Sequence, residues 1–252
     1  MSFSDDEIER YARHLVLAEV GGPGQQRLKA ARVGLIGLGG VGAPAALYLT
    51  AAGVGTLRLI DDDDVALSNL QRQVLFGSAD LGLAKVDAGA ETLAALNPHV
   101  ALEPVAERLT AANAGRLVAD CDVVIDGTDD FHSRFAVNAA SVAAGIPLVS
   151  GALGRWSGQV GVFRGRPCYR CLVPDIPPDA ETCARVGVVG ALAGVVGSMA
   201  ALEAIKLITG AGAALTGRLM IYDGLAGTAR TVAVAADTNC LVCAGTSLQA
   251  KA

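Results

Sequence analysis

The chain has 252 residues, room for one large α/β domain or two small ones. Apolar residues make up 52% of it and aromatic residues only 4%, so the core must be built from Ala, Val, Leu and Gly, with close helix–sheet packing rather than a ring-lined pocket. A net charge of −5 lacks the basic face that nucleic acid demands, which argues against that class of partner.

The N-terminus, Ser2-Phe3-Ser4-Asp5-Asp6-Glu7, is acidic and has no apolar run, so no secretory leader is expected and the chain reads as cytoplasmic. Residues 5–30 pattern as amphipathic helix, ending near the break Gly21-Gly22-Pro23-Gly24. From Arg32 to Ser150 strands and helices alternate. Strands are expected at 33–36, 56–60, 101–105, 123–126 and 147–150, and helices at 41–52, 85–96, 111–119 and 133–144. That alternation is the signature of βαβ units in a parallel sheet. Beyond Ser150 come short β-like runs at 158–163, 219–222 and 231–235, which extend the same sheet with antiparallel strands. Between them, residues 173–182 hold three prolines and several acids and read as an extended, mobile loop. Residues 186–202 carry no charge and approach the length of a membrane span. Gly187, Gly190, Gly194 and Gly197 interrupt them, and the stretch runs into the amphipathic Glu203-Ala204-Ile205-Lys206, so a buried helix with a small-residue face is expected and no membrane. The expected fold class is α/β: a Rossmann-like doubly wound sheet, parallel in its N-terminal part and continued by antiparallel strands. One domain spans 1–252, with a nucleotide-binding half over 1–150 and a second half over 151–252.

The loop Gly37-Leu38-Gly39-Gly40-Val41-Gly42 falls where the first strand turns into a helix. Gly37, Gly39 and Gly42 fit G-x-G-x-x-G, a weak signal alone. The strand before it and the acid Asp61, about 20 residues after the last glycine, make it strong. Such glycines let backbone N–H groups approach a phosphate, and the acid holds ribose hydroxyls. Asp62 and Asp64 read as a solvated acidic turn. The polar run Ser68-Asn69-Leu70-Gln71-Arg72-Gln73 that follows has no use in a dehydrogenase. It suits an enzyme that handles a whole triphosphate, because Asn69 and Arg72 then reach back toward the phosphates. Thr128-Asp129-Asp130 follows an apolar strand and so sits at the carboxyl end of the sheet, where open α/β folds bind ligands. Lys85 opens a helix, a poor place for a cation, which a nearby triphosphate would explain.

Cys168-Tyr169-Arg170-Cys171 and Cys240-Leu241-Val242-Cys243 are two C-x2-C knuckles. Four thiolates at this spacing make a tetrahedral Zn2+ site with no open position, structural rather than catalytic. Cys121 reads as a small buried residue. Cys183 ends the proline-rich loop beside Arg185, a cation that could lower its pKa and make it reactive; the alternative is a spectator on a loop.

These residues, together with Arg10-Tyr11-Ala12-Arg13 near the start and Pro147-Leu148-Val149-Ser150-Gly151, recur in one order from about residue 8 to residue 243. The chain thereby resembles the ubiquitin-activating-enzyme-like superfamily in its short bacterial form, the adenylyltransferases that activate sulfur-carrier proteins for molybdopterin or thiamine synthesis, and the molybdopterin type more closely. The resemblance implies ATP and Mg2+ as cofactors. It makes Gly37, Gly39, Gly40, Gly42, Asp61, Asp63, Asn69, Arg72, Gln73, Lys85 and Asp129 the nucleotide-binding set. Arg72 and Lys85 become phosphate ligands, and Arg13 an arginine finger acting in trans across a homodimer. Asp129 matches the essential aspartate, to which Mg2+ ligation is assigned. The family usually has Asn after that Asp, and here it is Asp130, which adds charge near the metal. The implied reaction is attack of a carrier's C-terminal glycine carboxylate on the α-phosphorus of ATP, giving an acyl-adenylate and pyrophosphate. Sulfur would come from a separate sulfurtransferase. Activation of the thiamine carrier or another sulfur-transfer pathway is the first alternative. An NAD-dependent oxidoreductase is another, although His14, His99 and His132 are scattered and no catalytic set is evident. An inactive scaffold is the last.

Overall fold

The computed structural model describes residues 2–177 and 187–245. Eight strands form one sheet: β1 Arg32–Ile36, β2 Thr56–Ile60, β3 Ala101–Val105, β4 Val123–Asp126, β5 Leu148–Leu153, β6 Ser157–Phe163, β7 Arg218–Asp223 and β8 Thr228–Ala233. Their spatial order is β3-β2-β1-β4-β5-β6-β7-β8. The first five are parallel, with Ile36 opposite Ile60 and Asp126, so that β1, β2 and β4 end level at their carboxyl ends. β5 then pairs antiparallel with β6, and β6–β7–β8 continue in that sense.

The helices are α1 Asp5–Arg10, α2 Ala12–Leu15, α3 Gly21–Ala30, α4 Gly42–Ala51, α5 Lys85–Leu96, α6 Ala114–Val118, α7 Phe131–Ala144, α8 Tyr169–Leu172 and α9 Gly190–Thr209. They cover both faces of the sheet, and the alternation along each strand divides the core in two. Val33 and Leu35 of β1 and Val123 and Ile125 of β4 pack with α4, α5 and α9. Ile36 and Val124 point the other way, toward Leu117, Val118 and Val137 of α6 and α7. Small residues bring α9 close: a Cβ on Gly158 of β6 would lie 2.3 Å from Val196, and one on Gly197 would lie 2.4 Å from the carbonyl oxygen of Val41. α9 is the described helix long and apolar enough to cross a membrane. Here its Leu192, Val196, Ala200 and Ala204 are buried in the core, and Glu203 accepts the Leu215 N–H at 2.6 Å.

Several boundaries differ from expectation. The single helix over 5–30 is three, and Gly21-Gly22-Pro23-Gly24 starts α3 rather than ending a helix. Proline fits the first turn because N–H groups there lack intrahelical acceptors. α6 begins at Ala114, not 111, because Asn113 Oδ1 accepts from the Thr110 N–H and closes a turn before it. β5 runs on to Leu153, and β8 starts at Thr228 rather than 231, after a turn in which Asp223 accepts from Leu225 and Ala226. The expected helix from 186 begins at Gly190 among the described residues. Residues 178–182 of the proline-rich loop lie outside the described residues.

Candidate active site

β1 delivers the glycine loop. Gly37 takes φ +84°, a region closed to most side chains, and its N–H donates to Ile60 O at 2.8 Å. A Cβ on Gly42 would sit 1.8 Å from the Gly37 carbonyl oxygen, so the start of α4 can approach the loop only as glycine. Gly39 differs. Its nearest neighbour for a Cβ is Gln73 Nε2 at 3.9 Å, because the space over it is open. That space is a cavity of about 470 Å³ at the carboxyl edge of the parallel strands, lined by Gly37, Gly39 and Gly40, Asp61 and Asp63, Asn69, Arg72 and Gln73, Lys85, and Asp129. The sequence-predicted residues other than Gly42, Arg13 and the cysteines therefore converge on one cavity.

Asp61 ends β2 and ties the loop down, Oδ2 accepting from Leu38 N at 2.6 Å and Oδ1 from Asp63 N at 2.9 Å. Burial pushes its pKa above the ordinary carboxylate value, although Lys85 and the two backbone N–H groups pull the other way. Lys85 is buried, 2.6 Å from Asp63 and 3.7 Å from Asp61. This corrects the reason expected for its place at a helix start. No phosphate is needed to account for the ammonium, since two carboxylates hold it. Backbone bonds from Val65 N to Leu83 O and from Lys85 N to Asp63 O zip the two segments together and set that pairing. Asp63, placed in the nucleotide-binding set by the resemblance, is thus also the partner of Lys85. Asn69 Oδ1 accepts from Ala66 N at 3.1 Å, and Arg72 donates to Ser68 O at 2.9 Å, closing a tight turn between them. Gln73 is buried and lines the cavity, with Nε2 toward the open space over Gly39 and Oε1 enclosed without a partner.

On the facing wall, Asp130 caps α7. Its Oδ1 accepts from Ser133 N at 2.9 Å, and Oδ2 lies 3.9 Å from Arg108. Burial opposes its ionisation, but the hydrogen bonds from Ser133 and the Arg108 charge outweigh it and hold its pKa low. The extra acid is therefore engaged in a cap. Asp129 is exposed and lines the cavity. Arg13 is exposed on α2 and does not line the cavity of its own chain.

The ThiF family matches residues 11–242. The chain belongs to the ThiF family. It is 43% identical over 252 residues to the sulfur carrier protein adenylyltransferase of Thermus thermophilus, covering 96% of this chain and 93% of that one. It is likewise 43% identical to the molybdopterin-synthase adenylyltransferase of Escherichia coli, covering 95% and 98%, and 44% identical to the SAMP-activating enzyme E1 of Haloferax volcanii, covering 96% and 91%. Among solved structures, Escherichia coli MccB superposes with a TM-score of 0.83 at 21% identity over 98% of this chain and 75% of that one, a likeness of fold.

The second constellation in this ThiF-family chain is the cysteine cluster. The sulfurs of Cys168, Cys171, Cys240 and Cys243 all lie within 4.8 Å of one another. Cys168 and Cys240 are 3.7 Å apart and Cys171 and Cys243 3.4 Å. Four sulfurs about 2.3 Å from a tetrahedral Zn2+ stand at such separations, so the residues fit the metal. Burial pushes the thiols of Cys168 and Cys243 up. At Cys240 burial is outweighed by N–H bonds from Cys243 and Val242, bringing it to about 7. Four thiolates packed together here need a cation among them. Cys121 is buried, as expected, and burial raises its pKa to about 11. Cys183 lies outside the described residues.

A buried ion pair, Arg134 with Asp126, escaped the sequence reading of this ThiF-family site. Arg134 of α7 donates to Asp126 Oδ2 at 3.2 Å, to Ser150 Oγ at 3.0 Å, to Gly151 O at 2.8 Å and to Thr128 O. Ser150 donates in turn to Asp126 at 2.9 Å, and Thr128 Oγ1 donates to Asp126 Oδ1 at 2.7 Å. Burial works against the Arg134 charge, and Asp126 outweighs it, keeping its pKa raised. A signal existed: Asp126 closes an apolar strand, and a buried acid there requires a cation.

Proposed function

We propose that this chain adenylates the C-terminal carboxylate of a small ubiquitin-like sulfur-carrier protein, using ATP and releasing pyrophosphate, in molybdopterin cofactor synthesis. The observation that carries this reading is the single cavity in which the glycine loop, Asp61, the Asn69–Arg72–Gln73 turn, Lys85 and Asp129 meet. The names of the relatives, adenylyltransferases that cover nearly the whole chain, support it and not the dehydrogenase alternative. The open space over Gly39, with Gln73 Nε2 beside it, fits a phosphate group of a nucleotide.

In this reading Asp61 holds the ribose hydroxyls and the N–H groups of the loop meet the phosphates. Arg72, Lys85 and Arg13 neutralise the charge that develops as pyrophosphate leaves. Asp129 is the residue that would hold Mg2+, which supplies further neutralisation beside the α-phosphate. The attacking carboxylate is ionised at neutral pH, so no general base is required and catalysis is positioning plus electrostatics. Arg13 serves a second protomer. Its exposure outside its own cavity, beside the exposed apolar Val16 and Leu17, supports a homodimer with this arginine in trans. Residues 1–150 carry the nucleotide site, and 151–252 the carrier-binding surface and a structural Zn2+ held by Cys168, Cys171, Cys240 and Cys243. The enzyme works in the cytoplasm, away from membrane and nucleic acid.

Pyrophosphate exchange tests the reading. Purified protein receives Mg2+-ATP, labelled pyrophosphate and each candidate carrier from the same genome in turn. Exchange that needs one carrier's terminal glycine and disappears in Asp129→Ala is expected, with the molybdopterin carrier active and the thiamine carrier inactive. Binding of ATP with no exchange for any carrier would sink it.

A further inference from the structure

One short element joins the four cysteines to the nucleotide cavity. α8 is a single turn, bracketed by the cysteines of the first knuckle: Cys168 precedes it and Cys171 lies within it. Tyr169, its first residue, is buried and lines the cavity. The ring lies 5.9 Å from the Arg134 guanidinium, 5.6 Å edge-on from Phe163 and 6.2 Å from Phe135. Its backbone N–H donates to Asn138 Oδ1 at 2.8 Å, and the amide of the same Asn138 donates to Cys168 Sγ at 3.6 Å. Tyr169 is therefore held between the knuckle on one side and Arg134 on the other.

Arg134 is braced in turn. Its two terminal nitrogens have four acceptors, Asp126, Ser150, Thr128 O and Gly151 O. Four of its five N–H donors are committed in this way. The guanidinium supports the turn, gripping the carbonyl of the residue just before Asp129.

We infer that Tyr169 and Arg134 are positioning residues that couple the cysteine cluster to the Thr128–Asp129 turn. Closing the four cysteines fixes Cys168 and Cys171, these fix the Tyr169 ring, the ring steadies Arg134, and Arg134 places Thr128. The cluster then does more than tie down the C-terminal segment, because the placement of Asp129 depends on it. The kinetic arm of the test rests on the proposed adenylation; the structural arm needs only the fold.

The structural arm is amide hydrogen exchange on the full chain, with Zn2+ bound and after removal by a chelator under reducing conditions. In wild type, removal is expected to speed exchange of the amides at 127–130 about tenfold, while β1 and β2 stay protected. Zn2+-loaded Tyr169→Leu shows that faster exchange already, and removal adds little. Tyr169→Phe, which keeps the ring, behaves as wild type. In the kinetic arm, Tyr169→Leu and Arg134→Lys lower the kcat of carrier-dependent exchange about tenfold while KM for ATP holds within about twofold, and Tyr169→Phe recovers the wild-type values. Unchanged exchange at 127–130 on metal removal, with changes confined to the cysteine segments, overturns the coupling. So does loaded Tyr169→Leu that matches wild type. If removal unfolds the chain, the loaded Leu and Phe variants decide; if Tyr169→Leu does not fold, the wild-type comparison decides. A positive structural arm with no activity toward any carrier leaves the coupling standing and removes the assigned reaction.

Discussion

Gly197→Ala places a methyl group between α9 and the helix start that follows the glycine loop. Its Cβ would lie 2.3 Å from Pro44 Cγ and 2.4 Å from the carbonyl oxygen of Val41. Both are more than an ångström inside the roughly 3.5 Å at which carbon contacts become favourable. One of the two is backbone, so no rotamer change relieves the overlap and the helices must separate. Overpacking of this severity costs up to about 3 kcal/mol, and alanine in place of a mid-helix glycine returns about 1 kcal/mol. The net expectation is a loss of about 2 kcal/mol, or a Tm lowered by about 4–8 °C in a chain of this size. Gly194→Ala is the control. It lies on the same helix with nothing within 4 Å of its added Cβ, so only helix propensity acts and stability rises by about 0.5–1 kcal/mol. Calorimetry and urea unfolding of both variants at neutral pH check the pair. A Gly197→Ala protein that melts at or above wild type, or moves in the same direction as Gly194→Ala, would refute the reasoning.

Other expectations follow from the site. Asp130→Asn keeps the α7 cap and should change stability at neutral pH by no more than about 0.5 kcal/mol, whereas Asp130→Ala should cost about 1 kcal/mol. Because the folded-state pKa of Asp130 is lowered, its contribution is present above the ordinary carboxylate value of 3.8 and is lost as pH falls through the folded pKa. A melting series from pH 7 to pH 3 should therefore show wild type losing its charge-dependent margin over Asp130→Asn at the acid end; a margin that grows there refutes it. Cys243→Ser should halt binding of one Zn2+ per chain, measured by metal analysis after gel filtration, and lower Tm, since the free energy of metal binding then no longer adds to folding. In mixtures, Arg13→Ala and Asp129→Ala proteins, each inactive alone, should regain about a quarter of wild-type activity if the arginine acts in trans and dimers form at random. No recovery in a mixture shown to exchange subunits would place Arg13 in cis.

The glycine loop and Asp61 were legible because a strand–turn–helix unit fixes their spacing locally, and the register of β1 against β2 then brings Asp61 beside Leu38. The pairing of Lys85 with Asp63 was not. It depends on residues 82–85 folding back on 63–65, and no periodicity records a return of that kind. Arg134 was missed for a related reason. An arginine in an otherwise ordinary helix reads as a surface cation, and only the three-way meeting of β4, β5 and α7 gives it buried acceptors. The glycines of α3 misled in the opposite direction, since Gly and Pro at a helix entrance look like a break. The cysteine cluster was legible in full as a spacing, but nothing in the spacing revealed that the residue between two ligands faces the nucleotide cavity.

β5 belongs at once to the parallel and the antiparallel portions of the sheet, and its Gly151 lines the cavity at the point where they join. A continuous hydrogen-bonded plane has no pivot, so the regions on either side of β5 cannot swing apart or together as domains do. Arg108, which lines the cavity, lies 3.8 Å from Asp62 and 3.9 Å from Asp130. At the far margin, β8 is exposed along its whole length. Substitutions there carry no core penalty, in contrast to those at the buried strands that end at the cavity.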